Sequence, residues 1–213
     1  MLWTPVSVRT DVANSSTPPP LPRPPAGFGW RSLACLADII PLIILGLFLA
    51  GQVANTEELA ARERTDAFYN KIKNQYVKAI QNPSVEEQNK LMQMAEHPDE
   101  KDMEAVAIAL TQMGEICFLV TWLGLALQEI FLGGQTLGKR MFSLKVVDFY
   151  TQESPGILSC LLRSAWKAAF INLFNPFTSI LGIINFHVPL FRKDRRAWHD
   201  MFTRSYVIDL RKR

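Results

Sequence analysis

Residues 33–53 read LACLADIIPLIILGLFLAGQV and decide the fold, because they form an apolar run with a single charge, Asp38. A helix of about 20 residues is about 30 Å long, which matches the hydrocarbon core of a bilayer. Pro41 lies within the run, and membrane helices tolerate an internal proline. The run is not followed by a convincing cleavage site. We therefore predict a membrane helix that is retained as an anchor.

Two further apolar blocks follow, at residues 105–132 and 177–191. The second is short for an upright span. Between them, residues 157–174 carry Ser159, Arg163 and Lys167 on one side and apolar residues on the other, a pattern typical of a helix at the membrane surface. The sequence predicts an all-α integral membrane protein with about four transmembrane or re-entrant helices.

Residues 54–104 have the pattern of a water-soluble helical hairpin. One apolar stripe recurs every four residues, at Phe68, Ile72, Tyr76 and Ile80. Ser84 and Glu87 fit a capping box at the start of a second helix. Asn82-Pro83 and His97-Pro98 mark the breaks. We expect this insert to stand outside the membrane.

Two short segments, residues 141–149 and 204–210, alternate apolar and polar side chains as strands do. We predict that they pair on the cytoplasmic side. The first follows a glycine-rich turn, whose candidate functional residues are Gly134, Gln135, Gly138, Lys139 and Arg140. The spacing of this turn differs from that of a phosphate-binding loop.

The chain divides into a proline-rich, unfolded tail at residues 1–29, a membrane domain at 30–210 and a basic end at 211–213. Basic residues accumulate on the cytoplasmic side of membranes. The segment from Arg192 onward holds eight basic and three acidic residues, whereas the insert holds seven and eleven. This places both termini in the cytoplasm and requires an even number of crossings. Residues 157–191 then form either two short helices or a re-entrant hairpin.

Charged residues inside apolar helices need an explanation, since each costs at least about 2.5–3.5 kcal/mol in the bilayer centre. Arg31 and Asp38 are two helical turns apart on one face and could line an ion path. Alternatively, Asp38 hydrogen-bonds a neighbouring helix, through Arg163 or Lys167. Glu115 and His187 are further candidates for such a path, with packing roles as the alternative.

Asp200 follows a basic run, where we expect it to cap helix ends or pair with Lys139 or Arg140. The net charge of +3 and the absence of a basic patch with interleaved aromatics argue against nucleic-acid binding. The cysteines and histidines lack metal-ligand spacing, and no nucleophile motif is present. We expect no catalysis, metal or cofactor, and three buried thiols, at Cys35, Cys117 and Cys160.

Three motifs together resemble the RDD membrane proteins. They are Gly29-Trp30-Arg31-x-x-Ala34-x-x-x-Asp38, Gly134–Arg140 followed by Leu144–Asp148, and Arg195-Arg196-Ala197-Trp198-His199-Asp200. The family takes its name from one arginine and two aspartates, which correspond here to Arg31, Asp38 and Asp200. The chain departs from the pattern in its long 54–104 insert and in the sequence Met201–Ser205, where a small-residue turn is usual.

The resemblance implies a multi-pass protein of the cell membrane, with the lipid bilayer as its first partner. For activity it implies transport of ions or small polar solutes, or a role in larger membrane complexes. We therefore hold two hypotheses. In the first, the chain is a transporter with Arg31 and Asp38 on its path. In the second, it is a non-transporting scaffold or assembly factor that docks partners through the 54–104 insert. A chain this short would need to form homo-oligomers to make a pore.

Overall fold

The computed structural model describes residues 23–171 and 176–211. The predicted tail at residues 1–29 lies mostly outside this part. The described chain forms eight helices and two strands: α1 (Phe28–Gln52), α2 (Thr56–Gln81), α3 (Val85–Glu96), α4 (Glu100–Phe131), α5 (Leu137–Met141), β1 (Leu144–Asp148), α6 (Ile157–Ile171), α7 (Pro176–Phe191), α8 (Trp198–Phe202) and β2 (Ser205–Asp209). The predicted, mostly helical class with a small strand pair is confirmed.

Helices α1 and α4 are long and apolar enough to cross a membrane. They pack side by side through small residues. A Cβ added to Gly46 would lie 3.0 Å from the Cα of Cys117, and one added to Gly124 would lie 2.5 Å from the Cδ2 of Leu42. The pairing of 46 with 117 and of 42 with 124 makes the two helices antiparallel. Small residues permit such close approach between apolar helices.

The insert forms helices α2 and α3, as predicted. Ser84 precedes α3, and its Oγ accepts a hydrogen bond from the Glu87 amide at 3.2 Å. The predicted apolar stripe is only half right, because Phe68 and Ile72 are partly buried whereas Tyr76 and Ile80 are exposed. A spacing of four residues drifts by about 40° per step around a helix with 3.6 residues per turn. The stripe therefore turns away from its contact surface.

Strands β1 and β2 pair antiparallel, with Val146 opposite Val207, which confirms the predicted pair. The segment before α1 extends this small sheet. Pro25 bridges to Ile208, and the Ala26 amide donates to the carbonyl of Val207 at 2.9 Å. The start and the end of the described chain therefore lie on one side of the protein.

Helices α6 and α7 form a short hairpin. Each has 15 or 16 residues, about 23 Å at 1.5 Å per residue, and is shorter than a bilayer core. They pack tightly, since a Cβ on Gly182 would lie 2.0 Å from the carbonyl oxygen of Phe170. The hairpin returns the chain to the side of the sheet, because Ser159 near the start of α6 donates to the carbonyl of Thr203 at 3.1 Å.

The orientation of α6 differs from the sequence prediction. Its polar face points into the protein, where the Arg163 side chain is only 1% exposed. Its apolar face points outward, and Leu158 is 69% exposed. The amphipathic pattern is correct, but the charged side has protein partners rather than water. These partners are carboxylates on α4 and α8, which are far from α6 in the sequence.

Candidate functional site

A group of buried and partly buried ionisable side chains, here called the charged cluster, lies where α1, α4, α5, α6 and α8 meet. Its members are Arg31, Asp38, Glu129, Lys139, Arg163, Lys167, His199 and Asp200. The three residues named by the family motif all belong to it. Glu115 does not, because it lies on the exposed outer face of α4.

Asp200 is the first carboxylate of the charged cluster. Its Oδ2 lies 2.5 Å from the Nη2 of Arg31 and accepts from the Ala197 amide at 3.1 Å. Its Oδ1 lies 2.9 Å from the Nη2 of Arg163, although no well-aligned hydrogen bond reaches that oxygen. Of the two expectations for Asp200, capping of a helix end is what the structure shows, because Ala197 is the residue before α8, whereas the pairing with Lys139 or Arg140 is wrong. Asp200 instead joins α1, α6 and α8.

Burial alone would raise the pKa of the Asp200 carboxyl. The positive charge of Arg163, the contact with His199 and the charge of Arg31 outweigh that effect and hold this pKa well below its ordinary value. Asp200 is therefore ionised at neutral pH, and its ion pairs are intact.

Glu129 is the second carboxylate, and it lies near the end of α4. Its Oε1 accepts from the ammonium groups of Lys139 and, at 3.2 Å, Lys167. The Nε of Arg163 lies 3.7 Å from the same oxygen. Arg163 thus stands between the two carboxylates, and its Nη1 also donates to the hydroxyl of Ser205 at 3.0 Å. The other oxygen of Glu129 is buried without a hydrogen-bond partner.

Asp38 is the third carboxylate, and it holds α5 against α1. Its Oδ1 accepts from the Gly138 amide at 2.7 Å, and its Oδ2 accepts from the Thr136 hydroxyl. The suggested partners Arg163 and Lys167 do not bond to it. A hydrogen-bonding role with a neighbouring element is what the structure shows, and the element is α5.

Two glycines of the glycine-rich turn are required by close contacts. A Cβ on Gly138 would lie 2.2 Å from the carbonyl oxygen of Ala34. Gly134 has a φ of +87°, and a Cβ there would lie 2.5 Å from the carbonyl oxygen of Val146. The turn is fixed further by the side-chain amide of Gln135, which donates to the carbonyl of Leu144 at 2.8 Å.

The last two candidate residues of the turn, Lys139 and Arg140, lie in different environments. Lys139 is buried in the charged cluster, whereas Arg140 is exposed. Burial is the largest cause that lowers the pKa of the Lys139 ammonium to about 7. Glu129 acts in the opposite direction, and the positive charges of Lys167 and Arg163 add to the lowering.

His199 is a neutral member of the charged cluster. Its Nδ1 lies 3.1 Å from the amide nitrogen of Asn185, which can only donate, so this ring nitrogen accepts. The hydrogen is therefore on Nε2, 3.2 Å from the Oδ1 of Asp200. Burial lowers the pKa of His199 to about 4, despite the nearby carboxylate. His199 thus orients Asp200 without adding charge at neutral pH.

A groove with a volume of about 430 Å³ opens from the charged cluster between α1 and α7, and we call it the α1–α7 groove. Its floor carries Arg31, Asp38, Lys139, Arg163, Lys167 and His199. Its walls are apolar and come mainly from Leu36, Ile39, Ile40, Ile43, Phe170, Ile183 and Phe186. His187 also lines it, with Nδ1 2.7 Å from the carbonyl oxygen of Ile183. A transport role for His187 stays a prediction.

The sequence patterns did not reveal Glu129 as the centre of three cations, and they predicted Arg163 and Lys167 either at the membrane surface or beside Asp38. A usable signal exists, because Arg163 and Lys167 are four residues apart and share a face of an otherwise apolar helix. Such cations in lipid need a carboxylate nearby. Within residues 23–171 and 176–211, no three His, Cys, Asp or Glu side chains gather as a metal site.

Comparison with known families gives one match. The model of the RDD family matches residues 25–204, and the matched range contains the whole charged cluster and the insert. No curated protein and no solved structure matches the chain.

Proposed function

The chain belongs to the RDD family, and on that premise we propose that it is a multi-pass membrane protein that acts as a scaffold, with its charged cluster holding the helices together and its 54–104 insert docking partners. The RDD family is generally membrane-associated. In this chain the two long apolar helices, α1 and α4, serve as the spans, and α6 and α7 form a re-entrant hairpin.

The inverted distribution of polar and apolar side chains supports membrane residence. On α1, Leu36, Ile44 and Phe48 are exposed, whereas Asp38 is buried. On α6, Leu158 is exposed and Arg163 is buried. A protein in water would leave a large apolar surface exposed with this arrangement, which soluble monomers avoid. In a bilayer the same surface faces lipid, and the charges find partners inside.

The basic residues support an orientation with the sheet on the cytoplasmic side of the cell membrane. Pro25 and Ile208 form a bridge, so the segments that precede α1 and follow α8 share a side. Both termini are then cytoplasmic, and the insert faces the other side.

One observation carries the choice of a scaffold over a transporter: the charges are tied to one another at one end of a closely packed helix pair. At the opposite end, Arg62 donates to the side-chain oxygen of Gln112. Between these ends, Gly46 lies against Cys117 and Gly124 against Leu42, at distances that admit no Cβ without rearrangement. This packing leaves no room for a hydrated path between α1 and α4.

The insert provides the docking surface in this proposal. Tyr69, Tyr76, Val77 and Ile80 are exposed on α2 although the insert would stand in water. Tyrosine is enriched at protein interfaces, and the fully buried centre of an interface is more apolar than the rest of a protein surface. The partners would be membrane-complex proteins or further copies of the chain.

Crosslinking in native membranes tests the docking role. The full chain should give discrete crosslinked products, and the double variant Tyr76→Ser, Ile80→Ser should lose them. The matched control is Lys71→Ser, Lys73→Ser on the same helix, which should retain them. Products that persist in the Tyr76→Ser, Ile80→Ser variant would contradict docking through α2.

Membrane residence is tested separately by pelleting, and a folded chain that stays in the supernatant without detergent would refute it.

Transport of ions or small polar solutes is a second candidate, and the charged floor of the α1–α7 groove favours it. Purified protein in liposomes would then pass cations or protons, and Asp38→Asn would abolish the flux while the chain still inserts. If the wild type passes no small ion, only the scaffold role is left.

A further inference from the structure

We propose that the α1–α7 groove binds one anionic lipid, with its phosphate head group on Lys139 and Lys167 and an acyl chain along the apolar walls. The proposal rests on the membrane residence proposed above and is independent of the docking role of the insert.

Open hydrogen-bond donors on the groove floor are the first observation. Lys139 and Lys167 both donate to a single oxygen of Glu129. An ammonium group has three donors. In the described part of the chain neither ammonium has a second acceptor, although both side chains are largely buried, at 8% and 12% exposure. Each therefore retains two donors for a ligand in the groove.

An excess of positive charge is the second observation. The charged cluster contains four basic side chains, Arg31, Lys139, Arg163 and Lys167, against three carboxylates, Asp38, Glu129 and Asp200. Burial lowers the pKa of Lys139 to about 7, and a bound anion would favour the charged form of this ammonium. His199 is neutral because of its low pKa. Arg196 donates to the carbonyl of Asp200 at 3.2 Å and adds further positive charge beside the cluster. A buried excess charge is costly in a medium of low dielectric constant unless a counter-ion is present.

The shape of the groove identifies the rest of the ligand. Above the floor, Leu36 and Ile40 on α1 and Ile183 on α7 line the groove and are more than half exposed, so the groove is open toward lipid. From Arg31 to Ile43 the helix rises about 18 Å. This is close to half of the roughly 30 Å core of a bilayer, which is the depth that one acyl chain occupies.

The position of the charged cluster favours a lipid head group over a free phosphate ion. The cluster lies at the end of α1 that carries the sheet and the basic segment from Arg192 onward, which the charge distribution places in the cytoplasm. The cytoplasmic leaflet is rich in anionic lipids, and basic pockets between helices on this side bind their head groups. A phosphate group held there would accept charge-assisted hydrogen bonds from the ammonium groups of Lys139 and Lys167.

A titration of the purified full-length protein in detergent tests the proposal. Dioleoyl phosphatidic acid should bind at least about tenfold more tightly than dioleoyl phosphatidylcholine, since the head groups differ in charge while the chains are the same. Inorganic phosphate at equal concentration should not displace the phosphatidic acid. Equal affinity for the two lipids would overturn the proposal, and displacement by inorganic phosphate would assign the site to a free anion and overturn the lipid.

Two variants locate the site. Lys167→Gln should weaken phosphatidic acid binding by about tenfold, which corresponds to the loss of one charge-assisted hydrogen bond. Lys193→Gln removes the same charge from an exposed position and should leave binding unchanged. An equal loss in both variants would indicate general surface attraction and overturn the site.

If Lys167→Gln fails to fold, the preference of the wild type for the anionic lipid decides whether the lipid site exists. A chain that pellets with membranes yet shows no preference would refute the lipid site alone and leave membrane residence intact.

Discussion

Arg163 on α6 and Asp200 on α8 form an ion pair inside the protein, with Nη2 2.9 Å from Oδ1 and side chains 1% and 0% exposed. Arg163 also faces Glu129, so one guanidinium links the short hairpin to α4 and to the segment before β2. A buried pair adds little net stability over apolar residues, but removal of one partner leaves a charge without compensation.

We expect Arg163→Met to lower the free energy of unfolding by about 3–5 kcal/mol, because it leaves two buried carboxylates with fewer counter-ions. Thermal unfolding in detergent measures the change. Arg192→Met is the control, since the Arg192–Asp194 pair is exposed and should contribute under about 1 kcal/mol. Similar melting of the two variants would contradict a structural role for Arg163.

Asp38→Ala should destabilise the protein by about 1–3 kcal/mol, because the Gly138 amide and the Thr136 hydroxyl lose a buried acceptor. Asp38→Asn should retain most of the stability, since the amide oxygen still accepts from Gly138 and the amide nitrogen can donate to Thr136. Melting temperatures of both variants provide the measurement. If Asp38→Asn lowers the melting temperature as much as Asp38→Ala does, the charge of Asp38 matters more than its hydrogen bonds to α5.

Gly138→Ala should cost about 1–3 kcal/mol or prevent folding, as expected for an added methyl group in a tightly packed site. The new Cβ would lie 2.2 Å from the carbonyl oxygen of Ala34 and force α5 away from α1. Gly156→Ala is the matched control, because a Cβ at Gly156 has no neighbour within 4 Å. Equal stability of the two variants would contradict the close contact between α5 and α1.

The burial of neutral His199 predicts a loss of stability in mild acid. Its pKa is about 4 in the folded chain and about 6.5 when unfolded, so the unfolded state binds the extra proton between these values. Stability should therefore fall as the pH falls through this window, by about 2 kcal/mol between pH 7 and pH 5.

Melting curves at several pH values test the role of His199. His199→Gln should flatten the dependence on pH, whereas His97→Gln, at the exposed end of α3, should leave it unchanged. A dependence that persists in His199→Gln would assign it to other groups.

The sequence was sufficient for the long helices, the insert and the strand pair, because apolar runs, proline breaks and alternation are local signals. The motif also identified Arg31, Asp38 and Asp200, which the structure brings into one cluster. The side-chain partners predicted for Asp38 and Asp200 were wrong, since pairing between distant elements has no local signature. Glu129 and Arg163 are 34 residues apart in the sequence and meet only after α6 packs on α4. Likewise, the inward direction of the polar face of α6 depends on the carboxylates of α4 and α8, which no pattern within α6 reveals.

The contact of Pro25 and Ala26 with β2 has a consequence for the order of events during synthesis. Residues 25 and 26 find their strand only after residues 205–209 have been synthesised. Until then, the arginines of α1 and α6 have not met Asp200, and β1 has an open edge. A chain that ends before α8 would therefore leave Arg31 without its carboxylate partner and β1 without its neighbouring strand.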